Sequence, residues 1–138
     1  MKGRNTVRKI QEKVNNGEKL VMVTAYDYPS AYLAQQADVD MILVGDSLGN
    51  VILGYDTTIP VTMEDMLHHT RAVSRAVSQP MVIADMPYGS YHVSVEQAVT
   101  NAMRLIQEGG AHAVKLEGSH IAPLVKEMSL RGIPVMAH

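Results

Sequence analysis

The stretch MILVGD (residues 41–46) is a run of apolar residues that ends in a glycine and a carboxylate. The same pattern recurs as MVIAD at residues 81–85 and as AVKLE at residues 113–117. Continuous apolar runs, as opposed to alternating ones, are typical of parallel strands that are covered on both faces. With two similar runs at either end of the chain, the predicted strands are Leu20–Ala25, Met41–Gly45, Met81–Asp85, Ala113–Glu117 and Ile133–Ala137.

Amphipathic helices are predicted between these strands. Thr62 with Asp65, and Ser94 with Gln97, match the spacing of a capping box at the start of a helical apolar stripe. The predicted helix starts are Thr62, Ser94 and Ser119, with a shorter helix from about Ser30 to Ala37. Strands that alternate with helices predict a parallel α/β fold, which is either a closed barrel or a doubly wound sheet. Periodicity alone leaves that choice open.

Composition narrows the class of protein. The chain has 138 residues, 46% of them hydrophobic, and carries 12 basic against 14 acidic residues without a basic run, so we expect no nucleic-acid partner. The apolar runs are strand-sized, whereas a bilayer span needs roughly 20 residues, so we expect no membrane partner. The polar start of the chain lacks the apolar core of a signal peptide. The absence of cysteine excludes a thiol nucleophile and favours a cytoplasmic location.

The length of the chain bears on its completeness. A closed (β/α)8 barrel takes roughly 250 residues. This chain holds four predicted βα units and a fifth strand that ends at His138. We therefore expect residues 1–138 to form a single domain that is the N-terminal portion of something longer, and to be inactive alone.

Polar groups follow every predicted strand. In parallel α/β folds the catalytic groups lie at the carboxyl ends of the strands, which meet at one rim. The segments at these ends are TAYD (24–27), GDSLG (45–49), ADMP (84–87) and VKLEG (114–118), with His138 after the last strand. We expect these groups to converge. The loops at residues 50–58 and 87–93, the second with Tyr88 and Tyr91, either cover this rim or are ordinary connections.

Three carboxylates at successive strand ends, Asp46, Asp85 and Glu117, suggest a magnesium site. Hard oxygen ligands suit Mg²⁺, which could chelate a 2-keto acid and act as a Lewis acid during enolate formation. Lys115 would add a positive charge for the substrate carboxylate or the enolate. The alternative is that each of these residues is an isolated cap of a helix or loop.

Residues 45–49 also match G-x-S-x-G, the nucleophile elbow of serine hydrolases, and contain the GDSL string of an esterase group. Ser47 would then be the nucleophile, with Asp85 and His138 in a usable order for a triad. Against this, Asn50–Pro60 reads as a loop and not as the helix that an elbow needs, and the esterase group's Asp-x-x-His is missing. His68 and His69 lie on a predicted helix and are expected at the surface or the core edge.

The chain resembles the ketopantoate hydroxymethyltransferase family from about Thr6 to His138. The short motifs that carry the resemblance are weakly specific singly, and their order and spacing make them highly specific together. They are TAYD (24–27), VGDSLG (44–49), TIPVT (58–62), ADMPY (84–88) and VKLEG (114–118).

The resemblance implies a (β/α)8 barrel of the phosphoenolpyruvate mutase/isocitrate lyase type. It implies transfer of a one-carbon unit from 5,10-methylenetetrahydrofolate to 3-methyl-2-oxobutanoate, giving 2-dehydropantoate, in the first step of pantothenate synthesis. Family members are typically large homo-oligomers, so the resemblance also implies a homo-oligomer, such as a decamer. A half-barrel that binds metal or associates with itself, without turnover, is the non-catalytic alternative.

The resemblance also implies residue roles. Asp46 and Asp85 match the family's magnesium ligands, and Glu117 lies near or on the metal through water. Asp46, Ser47, Asp85 and Lys115 match its keto-acid contacts. His138 matches a histidine on the active-site rim, and the family's general base, a glutamate on a later strand, is expected beyond the end of this chain.

Overall fold

The computed structural model describes residues 3–138 and shows a parallel sheet with six helices. Residues 1 and 2, which belong to the predicted domain and to the polar start of the chain, lie outside the described residues. The strands are β1 (Met22–Thr24), β2 (Met41–Val44), β3 (Met81–Asp85), β4 (Ala113–Leu116) and β5 (Val135–Ala137). The helices are α1 (Val7–Asn15), α2 (Tyr28–Gln36), α3 (Leu48–Val51), α4 (Met63–Ala76), α5 (Val95–Gln107) and α6 (Ala122–Leu130).

The strand order decides between the two folds that the sequence left open. The strands lie in chain order, β1-β2-β3-β4-β5, and every pair is parallel. A doubly wound sheet would reverse its strand order at a switch point. An order without reversal is that of a barrel wall, so the described residues form part of a barrel with β1 and β5 at its edges.

The two faces of the sheet carry different residues. Ile42, Val82 and Val114 lie on the outer face and belong to the main core, which helices such as α4 and α5 complete. The inner face holds a smaller apolar cluster of Met41, Met81, Ile83 and Ala113. Both faces are therefore apolar, which is why each strand reads as a continuous apolar run.

The inner face leads directly to the candidate site. Ile83 on β3 is in register with Ala113 on β4, and both side chains belong to the inner cluster. Side chains alternate between faces, so the residues two positions further on, Asp85 and Lys115, share that inner face. The register pairs Asp85 with Lys115. Apolar packing in the sheet thus brings an acid and a base side by side at the carboxyl ends of the strands.

Two of the predicted helix starts differ in their capping. The Thr62 side chain accepts from the Asp65 backbone N–H and the Asp65 carboxylate accepts from the Thr62 N–H, so this capping box is confirmed. The capping box predicted for Ser94 and Gln97 forms only one of its two hydrogen bonds. Ser94 accepts from the Gln97 N–H, but the Gln97 side chain accepts from Val93 and not from Ser94.

Other boundaries moved because local groups supply different caps. α2 begins at Tyr28 and not at Ser30, because the Asp27 carboxylate accepts from the Ser30 N–H at 2.8 Å. Asp27, at the end of the first predicted strand, therefore caps α2. α6 begins at Ala122, and the prediction that Ser119 starts it was wrong: Ile121 precedes the helix without a side-chain cap.

Two helices were not predicted. α1 has a short apolar stripe of Val7, Ile10 and Val14 at helical spacing, but the segment is otherwise polar and contains no buried residue. Thr6 caps it, and the Lys13 Nζ lies 2.6 Å from the Asp40 carboxylate. α3 is a single turn after Ser47, and it includes Asn50 and Val51, which had been assigned to a loop. Among the described residues, no helix is long and apolar enough to cross a membrane.

Candidate active site

Asp85 is the most buried acidic group at the carboxyl ends of the strands. Asp85 is only 7% exposed to solvent. One carboxylate oxygen, Oδ2, accepts from the Asp46 backbone N–H at 3.0 Å. The other, Oδ1, is buried without a hydrogen-bond partner, and the Lys115 Nζ lies 3.4 Å away as its ion-pair partner. Burial raises the pKa of Asp85, although the Asp46 N–H and Lys115 both oppose the shift.

Asp46 follows β2 and is partly buried next to Asp85. Burial raises the pKa of Asp46, and the negative charges of Asp85 and Glu117 raise it further. The side chain of Thr58 acts in the opposite direction and lowers the pKa of Asp46. Thr58 was not assigned a function from the sequence, although it begins one of the motifs on which the family resemblance rests. Because the charge of Asp85 raises the pKa of Asp46, a cation next to the two carboxylates would favour their charged forms.

Lys115 lies on the inner face of β4, with 18% of its side chain exposed. Its neighbour across the sheet is Asp85. An ammonium group in this largely shielded position is suited to hold negative charge that enters the site, because shielding from water strengthens the interaction.

Ser47 is held by a tyrosine and not by a histidine. Its Oγ lies 2.9 Å from the Tyr26 hydroxyl. α3 follows it directly but is a single turn, Leu48–Val51, so the predicted loop is wrong for Asn50 and Val51 and is confirmed for residues 52–60. The backbone of Ser47 is nevertheless in the ordinary right-handed helical region, with φ −53° and ψ −14°, and lacks the strained turn of a nucleophile elbow. The described hydrogen bonds of Ser47 include no catalytic base.

Gly45 makes room for this arrangement. A Cβ atom at this position would lie 2.7 Å from the Ser47 Oγ and 3.5 Å from the Asp85 Oδ2. The first distance is shorter than real Cβ contacts allow, so any side chain at residue 45 would displace the Ser47 hydroxyl.

Glu117 and His138 form a separate pair at the exposed side of the site. The His138 Nδ1 lies 2.9 Å from the Glu117 carboxylate, and both side chains are more than half exposed. Within residues 3–138, no group of three or more His, Cys, Asp or Glu side chains is placed to hold a metal ion. The structure therefore brings Asp46 and Asp85 together but does not assemble the predicted cluster of three carboxylates.

Tyr91 is a site residue that had no assigned function in the sequence. Its hydroxyl donates to the Glu117 backbone carbonyl at 3.3 Å and accepts from the Glu117 N–H at 3.4 Å. Burial raises the pKa of Tyr91. Because Tyr91 lies in the loop at residues 87–93, this contact shows that the loop reaches the rim. The tyrosine fixes the backbone of Glu117, a contact over 26 positions that the local sequence does not reveal.

The oxygen atoms at the site fit a magnesium ion. Magnesium prefers hard oxygen ligands, usually from one or two carboxylates, with water and substrate completing its coordination. Asp85 presents a buried oxygen without a hydrogen-bond donor, and Asp46 adds a second carboxylate. A cation there would satisfy the Asp85 Oδ1 and would lower the pKa of both acids.

Comparison with known proteins shows the family of the chain. The profile of the ketopantoate hydroxymethyltransferase family matches residues 4–138. The 3-methyl-2-oxobutanoate hydroxymethyltransferase of Thermoanaerobacter sp. (strain X514) is 60% identical over 134 residues, which covers 96% of this chain and 48% of that enzyme. The chain spans about half the length of the curated relatives it matches.

Solved structures with low sequence identity share the fold. A 2,3-dimethylmalate lyase of the PEP mutase/isocitrate lyase superfamily superposes with a TM-score of 0.69 at 16% identity, over 97% of this chain and 51% of that one. A phosphonopyruvate hydrolase in complex with oxalate and Mg²⁺ gives a TM-score of 0.64 at 21% identity, over 78% of this chain and 37% of that one. The sheet therefore resembles part of the barrel of that superfamily. Because the family profile covers nearly the whole chain, this protein belongs to the ketopantoate hydroxymethyltransferase family.

Proposed function

We propose that this chain forms the N-terminal portion of a (β/α)8 barrel that transfers a hydroxymethyl group. The donor is 5,10-methylenetetrahydrofolate and the acceptor is 3-methyl-2-oxobutanoate, which becomes 2-dehydropantoate. The observation that carries the proposal is the pairing of Asp85 with Lys115 and Asp46 on the inner face of the strands. A small anionic substrate and a divalent cation can both be held there.

Asp46 and Asp85 would hold Mg²⁺, with Glu117 contributing through water because its side chain turns toward His138. When bound, the metal ion supplies Lewis-acid stabilisation of negative charge on the keto acid. In its own crystal structure, the phosphonopyruvate hydrolase of the same fold holds oxalate together with Mg²⁺. That complex supports a site for a small carboxylate and magnesium in this fold.

The remaining side chains act on the substrate directly. The Lys115 ammonium balances the charge of the carboxylate or the enolate, and the Ser47 hydroxyl donates to the carboxylate. Preorganised groups of this kind stabilise developing charge without further reorganisation. His138 borders the site from the end of β5. We infer from its exposure that it contacts the substrate at the entrance and not the reacting carbon.

The base that removes the C3 proton is not among these residues. Asp46 and Asp85 would hold the metal, and Glu117 is paired with His138. A positioned base typically contributes about 10²–10⁴-fold to the rate. We propose that a glutamate from another part of the barrel supplies it, and that residues 1–138 alone do not catalyse the exchange. Folate as co-substrate, a homo-oligomeric assembly and a cytoplasmic location belong to the same proposal.

A chimera tests this function. Residues 4–138 replace the aligned half of the Thermoanaerobacter enzyme, which is 60% identical to them. The chimera is assayed for deuterium exchange at C3 of 3-methyl-2-oxobutanoate with Mg²⁺, and for product formation with the folate donor. We expect both activities, and loss of both in Asp85→Ala.

Two controls make this result interpretable. The parent enzyme sets the full rate, and the 138-residue chain alone is expected to give no exchange. A folded chimera without exchange would contradict the proposed function, and would favour a half-barrel that has no turnover. Exchange by the chain alone at the parent rate would contradict the assignment of the base.

A further inference from the structure

Two hydroxyl groups meet at the end of β1 and β2. The Tyr26 Oη lies 2.9 Å from the Ser47 Oγ, and Tyr26 packs against the main core. The proposed chemistry gives Tyr26 no direct contact with the substrate. The pair joins residues that are 21 positions apart, so the sheet and not the local sequence brings them together.

The chemistry of the two hydroxyls sets the direction of the bond. Each group can donate or accept, and a phenol is the more acidic of the two and the better donor. If Tyr26 donates to the Ser47 Oγ, the serine keeps its own hydrogen free to donate into the site. Donors in a chain polarise one another, so the Ser47 hydroxyl becomes a stronger donor toward an anion. The reverse direction would turn serine lone pairs toward the carboxylate and repel it.

His69 holds the backbone of Tyr26 from α4. Its Nδ1 lies 2.7 Å from the Tyr26 carbonyl oxygen. A carbonyl only accepts, so this ring nitrogen carries the proton. The residue had been expected at the surface or core edge; it is partly buried, while its neighbour His68 is exposed. The contact crosses 43 positions and ties α4 to the strand end that presents the tyrosine ring.

We propose that Tyr26 and His69 are positioning residues that orient the Ser47 hydroxyl as a donor to the carboxylate of the substrate. The proposal rests on two consecutive hydrogen bonds. The first joins the His69 ring to the Tyr26 carbonyl, and the second joins the Tyr26 hydroxyl to Ser47. Neither residue touches the reacting atoms. The inference rests on the proposed function for its ligand, a 2-keto acid, but its hydrogen bonds exist without that ligand.

A double-mutant cycle on the full chain tests the first contact. The affinity for 3-methyl-2-oxobutanoate with Mg²⁺ is measured by calorimetry in the wild type, Tyr26→Phe, Ser47→Ala and the double variant. Loss of a neutral hydrogen bond predicts a roughly two- to tenfold weaker affinity in Tyr26→Phe. In the Ser47→Ala background the same change should have almost no effect, because the tyrosine acts through the serine. Additive losses would overturn the proposal.

Matched variants separate positioning from general damage. Tyr32→Phe removes the hydroxyl of an exposed tyrosine on α2 and should leave the affinity unchanged. His69→Ala should weaken binding, whereas His69→Asn should restore it, because the asparagine amide can donate to the same carbonyl. His68→Ala is the control on the same helix. Equal losses in His69→Ala and His69→Asn, in folded proteins, would overturn the function of His69.

A measurement without ligand distinguishes this proposal from the proposed function. The ¹³Cζ resonance of Tyr26, assigned with Tyr26→Phe, reports hydrogen bonding of its hydroxyl. It should shift in Ser47→Ala, and the Tyr32 resonance should not. An unmoved Tyr26 resonance overturns the proposal even if the keto acid binds. A moved resonance with no keto-acid binding in either the chain or the chimera would instead refute the ligand, and with it the function proposed for the site.

Discussion

Replacing Lys115 by methionine should destabilise the chain in a way that depends on pH. The ammonium lies 3.4 Å from the Asp85 carboxylate, and the two side chains are 18% and 10% exposed. Removing one partner of a buried ion pair typically costs about 3–5 kcal/mol, because the remaining charge is left uncompensated. Asp85 can escape part of this cost by binding a proton, at about 1.4 kcal/mol per unit of pKa. We therefore expect a loss of about 3 kcal/mol at pH 8.

The sign of the pH dependence follows from the pKa of Asp85. Burial already raises this pKa above 3.8, and without Lys115 it rises further. An acid whose pKa is raised in the folded state binds protons more tightly there than in the unfolded chain. Its contribution to stability is therefore present at low pH and is lost as the pH rises through the folded-state pKa. The difference between variant and wild type should be small at pH 4 and largest at pH 8.

Urea unfolding followed by circular dichroism measures this difference at both pH values. Arg131→Met is the control, since its ion pair with Glu127 is about 40–45% exposed and is worth at most about 1 kcal/mol. Asp85→Asn should rescue Lys115→Met, because the asparagine oxygen still accepts from the Asp46 N–H without a buried charge. A loss that is the same at pH 4 and pH 8, or a double variant as unstable as the sum of the singles, would refute this reasoning.

Three further predictions concern the site. Asp46→Ala and Asp85→Ala should each weaken Mn²⁺ or Mg²⁺ binding at least tenfold in calorimetry, and Glu117→Gln should have a smaller effect; unchanged affinity in both alanine variants would rule out these ligands. Ser47 should not react with a fluorophosphonate probe, as judged by mass spectrometry, because no base contacts it among the described hydrogen bonds. Labelling that disappears in Ser47→Ala would favour the esterase. Gly45→Ala should weaken keto-acid binding several-fold, because its Cβ would lie 2.7 Å from the Ser47 Oγ; calorimetry with unchanged affinity would show that the hydroxyl can move at no cost.

Much of the fold follows from local patterns in the sequence. The runs at residues 41–46 and 81–85 predicted buried parallel strands, and Thr62 with Asp65 predicted a helix start, and the structure confirms these features. Such features depend on residues within a few positions of one another. The single turn α3 is too short to show an apolar period. α1 escaped prediction because its three apolar residues, Val7, Ile10 and Val14, stand in an otherwise polar segment.

The candidate site was predictable only as a set of residues at strand ends. Alternation along β3 and β4 is enough to predict that Asp85 and Lys115 share a face, once the strands are known to be adjacent. It could not predict that Glu117 would pair with His138 and not with the other carboxylates. Nor could it predict that Tyr26 would reach Ser47, since the two lie on different strand ends.

The difference between what the sequence predicted and what only the structure showed has a physical cause. Whether a segment forms a strand or a helix depends mainly on its own apolar period and caps, so the sequence alone determined the order of the elements and the strand ends on which acidic and basic groups lie. Which strands become neighbours, in what register, and which charges then face one another depend on burial summed over the whole core. Contacts such as His69 with Tyr26, separated by 43 positions, exist only after that packing is complete. The strand order confirms the barrel that the family resemblance implied and that apolar periodicity alone left open. Tertiary structure alone decided that Asp46 and Asp85 meet while Glu117 pairs with His138.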